Sequence, residues 1–269
     1  MGAYILDTDA VAKKYAARIR NELREGIALA TIRATNKQSA IDYQQLLEKD
    51  CAQFGIGHHT FNCQSDEGLV EIITHCNDYK KIHGILVLYP LGDSIKIDKH
   101  ELANGISPEK DVEGLHKEHV GALFQGYHDG LVVPCTAKAI VETLKHHDYE
   151  FKGNALIINR SDVVGKPLRS ILEELGMTVL AAYDKTSTRT IDAMLREADL
   201  IVTAVPDPTY KLPTDAVKKG AAVVAVSPGN IDEAALKEKC SLISVRSQPI
   251  GRVTRKITLH NLCLLNHAS

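Results

Sequence analysis

Ala155-Leu156-Ile157-Ile158-Asn159-Arg160-Ser161-Asp162-Val163-Val164-Gly165-Lys166-Pro167 passes from an unbroken apolar run, through a polar turn, into a segment opened by proline. Four consecutive apolar residues fit a strand covered on both faces, as in a parallel sheet, better than a strand with one wet side. Proline is tolerated in the first turn of a helix but not deeper, so a helix is predicted from Pro167 to Leu175. Strand, tight turn and helix together begin a crossover unit. Downstream, Thr178–Ala182 reads as the next strand and Ile191–Arg196 as a helix, while 200–204 and 222–226 are further buried strands.

The same alternation recurs upstream. Thr8 or Asp9 can cap a helix whose apolar positions Val11, Tyr15, Ile19 and Leu23 recur every four residues. A strand at 30–34, a helix from about 40 to Phe54 closed by Gly55, and a possible strand from His59 to Cys63 follow. Ser65 can cap a helix carrying Leu69, Val70, Ile72 and Ile73, and Gly84–Tyr89 is a buried strand stopped by Pro90. Residues 92–133 are less regular, and a helix at 137–147 makes the first connection between domains. The expected fold is α/β with two domains: a parallel-sheet domain over 1–136 and a Rossmann-like domain over 137–250. The remaining 251–269 contain a helix, about 254 to 265, with no place in the second sheet, so it is expected to return to the first domain.

Composition removes several function classes. The 269 residues are 44% hydrophobic and 25% charged with 18 Gly and 9 Pro, which excludes a coil, a collagen or a disordered chain. Thirty-two basic against 34 acidic residues leave a net charge of −2, so nucleic acid is not an expected partner. The apolar run 84–89 is far too short to span a bilayer, and no secretory signal opens the sequence. Six scattered cysteines without a Cys-x-x-Cys pair read as reduced thiols of a cytoplasmic protein. Twelve histidines lack a His-Glu-x-x-His spacing, so no metal site is expected.

The turn at 159–165 is a variant of the dinucleotide fingerprint. Gly165 would allow close helix–strand approach, and the helix start would aim free N–H groups at a pyrophosphate. Asn159 and Ser161 stand where the first two glycines usually do, and Asn can take the left-handed conformation such a turn may require. The expected cofactor residues are Asn159, Arg160, Ser161, Val164, Gly165 and Asp184. Asp184 ends the next strand 19 residues after Gly165, where an acid can accept ribose hydroxyls and repel a 2′-phosphate. NAD is therefore favoured over NADP, although Arg160, Lys185 and Arg189 could each pair with a phosphate.

Asp111 and Glu113 flank Val112 in a polar loop after a buried strand, where parallel sheets place ligand-binding groups. Tyr43 lies on the second helix with Leu47 on the same face, whereas Lys49 is turned by roughly 240°. Taken in order, Lys110-Asp111-Val112-Glu113-Gly114, Pro134-Cys135-Thr136 and Arg160-Ser161-Asp162-Val163-Val164-Gly165-Lys166-Pro167 resemble the methylenetetrahydrofolate dehydrogenase/cyclohydrolase family over almost the whole chain. Bifunctional members carry a lysine where this chain has Leu47 and a glutamine where it has Leu88. Asn159, Tyr89 before Pro90, and Ile250-Gly251-Arg252-Val253-Thr254 resemble the monofunctional NAD-dependent fungal enzyme of that family.

The resemblance implies oxidation of 5,10-methylenetetrahydrofolate, with hydride passing to NAD and cyclohydrolase activity absent or very weak, because Leu47 removes a titratable amine. The alternatives are a bifunctional enzyme using NADP, or a silent relative that binds folate or nucleotide. It also implies a role in one-carbon metabolism and a homodimer. Tyr43, Asp111 and Glu113 are the expected catalytic residues. Tyr43, Leu47, Leu88, Tyr89, Glu113, Pro134 and Thr254 are expected at the substrate, with Tyr89 stacking on the ring and Glu113 accepting pterin donors.

Overall fold

A computed structural model of the protein describes residues 2–128 and 130–267. In chain order its elements are β1 (Tyr4–Ile5), α1 (Thr8–Glu22), β2 (Ala28–Arg33), α2 (Gln38–Phe54), β3 (Gly57–Asn62), α3 (Asp66–Asp78) and β4 (Gly84–Leu88). Next come α4 (Lys99–Gly105), α5 (Lys117–Gln125), α6 (Cys135–His146), β5 (Asn154–Ile158), α7 (Gly165–Glu174), β6 (Thr178–Ala182) and α8 (Thr188–Glu197). The chain closes with β7 (Leu200–Thr203), β8 (Ala222–Ala225), α9 (Glu233–Lys237), β9 (Leu242–Ile243) and α10 (Ile250–His267). The apolar runs form parallel sheets, as their composition dictates. One sheet has the order β3-β2-β4, the other β1-β9-β8-β7-β5-β6.

Two compact units hold these sheets. One comprises residues 1–13, 123–127 and 134–254, the other 14–122, 128–133 and 255–269. The opening residues thus join the six-stranded sheet, because Tyr4 and Ile5 pair with Leu242 and Ile243. Two-residue strands carry no periodicity, so neither β1 nor β9 is visible in sequence. The cap of α1 is also shifted: the Asp7 carboxylate, rather than Thr8 or Asp9, accepts the Ala10 amide at 2.9 Å. Ser65 caps α3 as expected, accepting from the Gly68 amide at 3.1 Å. Within the irregular 92–133 segment lie α4 and α5, whose few buried residues left a weak apolar pattern.

Most of the last helix belongs to the three-stranded unit. Asp50 of α2 binds the Arg255 Nε at 2.8 Å and the Lys256 Nζ at 2.7 Å, with all three side chains largely out of solvent. Asp50→Ala would leave both cations without that carboxylate. Urea denaturation is expected to show a loss of about 2 kcal/mol, less than a fully buried pair would cost. A loss under about 0.5 kcal/mol, the scale of a neutral surface change, would mean that apolar packing alone seats α10.

Candidate active site

In the three-stranded unit, the segment after a single 3-10 turn, Pro108–Lys110, is fixed from both ends. Lys110 donates through Nζ to the carbonyls of Cys76, Asn77 and Tyr79 at 3.0, 2.6 and 3.2 Å. It therefore closes the C-terminal end of α3, where a cation complements the helix dipole. Asp111 pairs beside Ile85 of β4, and its buried carboxylate accepts the amides of Glu113 and Gly114 at 3.1 and 3.0 Å and of His116 at 2.7 Å. On the other side, the Asn261 amide of α10 donates to the Val112 and Val133 carbonyls at 3.0 and 3.3 Å. The loop is pre-organised by groups that flank it.

That construction divides labour between the two carboxylates. Burial raises the Asp111 pKa against the pull of its amide donors, and Asp111 spends its oxygens holding the turn. Glu113 retains some surface exposure, yet lost hydration pushes it up to about 8, with the Asp111 charge adding to the shift. It thus holds a proton through much of the neutral range and can donate as well as accept. The sequence places Glu113 both among the expected catalytic residues and as an acceptor of pterin donors.

Tyr43 is half-buried on α2 and packs against a cluster that includes Leu47, Leu86, Leu88 and Val112. Leu47 and Leu88 are both buried in that cluster, so both apolar replacements join one core. Lys49 is exposed, in keeping with its different helical face. Tyr89 is half-buried directly after β4. The structure therefore gathers Tyr43, Leu47 and Leu88 into one patch, with Val112 linking it to Asp111 and Glu113.

Pro134 and Thr254 fall in the other unit. Pro134 is buried at the start of α6, and the Thr254 hydroxyl donates to the Ile250 carbonyl at 3.2 Å. The same unit carries the 159–165 turn. Asn159 is not left-handed, since Asp148 is the sole non-glycine residue with positive φ among those described. It shapes the turn through its side chain instead: Oδ1 accepts from the Ser161 amide, the Ser161 hydroxyl and the Gly165 amide at 2.8, 2.7 and 3.0 Å. Its Nδ2 donates to the Ala204 carbonyl at 2.8 Å. The Ser161 hydroxyl also accepts the Val164 amide at 3.1 Å. A Cβ on Gly165 would lie 2.3 Å from the Asn159 carbonyl oxygen, so only glycine allows this approach.

Asp184 is paired with Arg160 at 3.2 Å, and the guanidinium also lies 5.1 Å from the Tyr183 ring centre. An acid already bridged to arginine is a poor barrier to a 2′-phosphate, and the arginine is a ready partner for one.

A parallel sheet with a glycine-dependent turn at a helix start, and a second with a pre-organised carboxylate loop, define a nucleotide-dependent α/β oxidoreductase. The chain belongs to the tetrahydrofolate dehydrogenase/cyclohydrolase family. The family's catalytic domain matches residues 6–113 and its NAD(P)-binding domain residues 134–268. The bifunctional protein FolD of Campylobacter concisus is 34% identical over 283 residues, covering 98% of each chain. The crystal structure of bifunctional FolD from Campylobacter jejuni superposes with a TM-score of 0.87 at 27% identity, covering 99% of this chain and 100% of that one. The Trypanosoma brucei methylenetetrahydrofolate dehydrogenase-cyclohydrolase, complexed with NADP and an inhibitor, has a TM-score of 0.88 at 25% identity, covering 100% and 99%.

These similarities correct two expectations. The relatives named above are bifunctional, and nothing singles out a monofunctional fungal enzyme, so the reading without cyclohydrolase activity is set aside. Its physical weakness lies in treating the amine position as the sole proton-handling group, when Glu113 also titrates near neutrality. The preference for NAD over NADP falls with the NADP-bound trypanosomal relative, and the Arg160–Asp184 pair supplies the reason. Among the described residues, no helix is long and apolar enough to cross a membrane.

Proposed function

We propose that this chain is a bifunctional enzyme that oxidises 5,10-methylenetetrahydrofolate with NADP or NAD and hydrolyses the methenyl product, acting as a homodimer. The observation that carries this reading is the Asp111–Glu113 loop, in which one carboxylate is consumed as scaffold and the other is tuned toward neutral pH. Tyr43 and Tyr89 orient the pterin, and Leu47 and Leu88 provide a dry wall beneath it. Hydride transfer needs no proton abstraction, because both nitrogens flanking the bridging carbon support the cationic product. Positioning is therefore the main demand on the protein.

Hydrolysis needs more. Attacking water gives up both of its protons: Glu113 takes the first at its carboxylate and returns it to the departing nitrogen, and the second passes to solvent as the formyl C=O forms, which accounts for the charge lost by the methenyl cation. The Gly165 approach and the Asn159-shaped turn fit a dinucleotide, with Ser161 and the α7 start facing its phosphates and Arg160 its ribose end. When bound, NAD(P) supplies the hydride acceptor.

The decisive experiment follows methylenetetrahydrofolate oxidation with NAD and NADP in parallel, and methenyltetrahydrofolate decay separately. Turnover in both assays is expected; failure of either overturns the bifunctional reading. Arg160→Ala is expected to raise KM for NADP about fivefold more than KM for NAD, the scale of an exposed ion pair. Equal effects on the two would remove Arg160 from the 2′-phosphate.

A further inference from the structure

Beneath α2 runs a polar chain that the proposed chemistry does not use. His58 of the edge strand β3 pairs in register with Leu29 of β2, which places it on the same sheet face as Thr31 and Arg33. Arg33 Nε donates to Gln44 Oε1 at 3.1 Å, and Gln44 Nε2 donates to the Thr31 hydroxyl at 3.1 Å and to the Thr31 carbonyl at 3.4 Å. A guanidinium offers only N–H groups, so it fixes which end of the Gln44 amide faces it and leaves the other end for Thr31. The Thr31 hydroxyl lies 3.0 Å from His58 Nε2. Thr31 is fully buried, and among the described residues its hydroxyl has these two partners. One of them is an amide nitrogen, which accepts nothing, so the hydroxyl proton goes to His58. Nε2 is therefore the bare nitrogen and Nδ1 carries the ring proton. The donors all point from Arg33 toward His58.

Resting on the folate reading above, we propose that neutral His58 is a positioning residue: as the last acceptor of this chain it holds α2, and with it Tyr43, in register over β2. Gln44 directly follows Tyr43, and both ends of its buried amide are engaged by β2. A proton on Nε2 would turn the final acceptor into a donor. Two donors would then meet at the Thr31 oxygen, whose own buried proton would have no acceptor, so one hydrogen bond of the chain must be given up. The charged groups facing the imidazole are Glu48 of α2 and its chain neighbour His59, while β2 presents Thr31. Burial is the largest influence and pulls the His58 pKa below the usual histidine value; Glu48 opposes it and His59 adds to it. The ring is thus neutral at pH 7 and becomes charged only as pH falls through the acid range.

His58→Gln separates the acceptor from its titration, because the glutamine oxygen stands as many bonds from the backbone as Nε2 does and takes no proton in this range. Tetrahydrofolate binding to the wild type and to this variant is measured from pH 8 to pH 5. The ratio of the wild-type dissociation constant to that of the variant is expected to be near one at pH 8 and to rise about fivefold toward pH 5, the worth of one hydrogen bond. His58→Leu offers no acceptor at any pH, so it is expected to bind about fivefold more weakly than the wild type at pH 8 and to match it in acid. Nitrogen NMR of the wild-type imidazole at pH 8 is expected to show Nε2 bare, a measurement that stands even if neither variant folds. A ratio that does not move with pH, or a neutral ring protonated at Nε2, overturns the role of His58 while leaving the folate reading intact. Failure of wild type and variants alike to bind tetrahydrofolate at any pH overturns the folate reading, and the positioning role with it.

Discussion

Glu113→Gln is expected to lower enzyme-dependent hydrolysis of methenyltetrahydrofolate by about a hundredfold or more, the usual worth of a positioned acid–base group. The amide keeps the size and a hydrogen-bonding oxygen but can neither accept nor return a proton. Hydride transfer is expected to fall less, through weaker hold on the pterin. With a pKa of about 8 in the native protein, the base form is the minority at pH 7. The wild-type hydrolysis kcat/KM should therefore climb about tenfold per pH unit below 8 and level off above it. Measuring both reactions from pH 6 to 9 tests this; a flat hydrolysis profile, or a Gln variant with full hydrolysis, would remove Glu113 from the proton path.

The same group has a stability consequence of definite sign. Its pKa is raised from the carboxyl's ordinary 4.5 to about 8, so the native state holds a proton that the unfolded chain has released between those values. Its contribution to stability is thus intact below about 4.5 and is lost as pH rises toward 8. Burial of an ionising carboxyl is the cost of keeping a neutral-range acid–base group.

How far the sequence disclosed this molecule depended on how locally each feature is encoded. Runs such as Ala155–Ile158 and Gly84–Leu88 declare buried parallel strands, and the structure pairs both as such. The glycine at 165 declares a close approach, which its 2.3 Å virtual contact confirms. Tyr4–Ile5 was hidden, because its only signal is a partner 238 residues away. At the candidate site, Asp111 and Glu113 were legible as a polar pair after a strand. Their different roles were not, since these depend on which amides fold back onto which carboxylate.

Leu47 shows the opposite failure. Read singly it removes an amine and suggests a lost activity; in the structure it is buried in the same apolar cluster as Leu88 and Val112. Lys110 and Arg33 carry charges that composition counts as surface, yet both are tied to backbone carbonyls, Lys110 at the end of α3 and Arg33 in the loop after β2. Such side-chain-to-backbone ties leave no periodicity, and a sequence scan passes over them.

Gly165→Ala is expected to weaken NADP and NAD binding by about a hundredfold, the upper end of what forced overpacking costs. The added methyl would sit 2.3 Å from the Asn159 carbonyl oxygen, 2.7 Å from its carbon and 2.8 Å from its side-chain oxygen. Two of those three atoms are backbone, so no rotamer change relieves the clash and the turn must open. Opening it breaks the Gly165 amide bond to Asn159 and pulls the α7 start away from the strand end. Fluorescence titration with both dinucleotides reads the effect, and circular dichroism shows whether the sheet survives. Should the alanine variant fail to fold, Ser161→Ala removes one hydroxyl, with its bonds to Asn159 and the Val164 amide, and is expected to cost about fivefold in dinucleotide affinity, as one modest hydrogen bond would. Undiminished binding in a folded G165A, or in S161A where the first cannot be made, would place the dinucleotide elsewhere than at this turn.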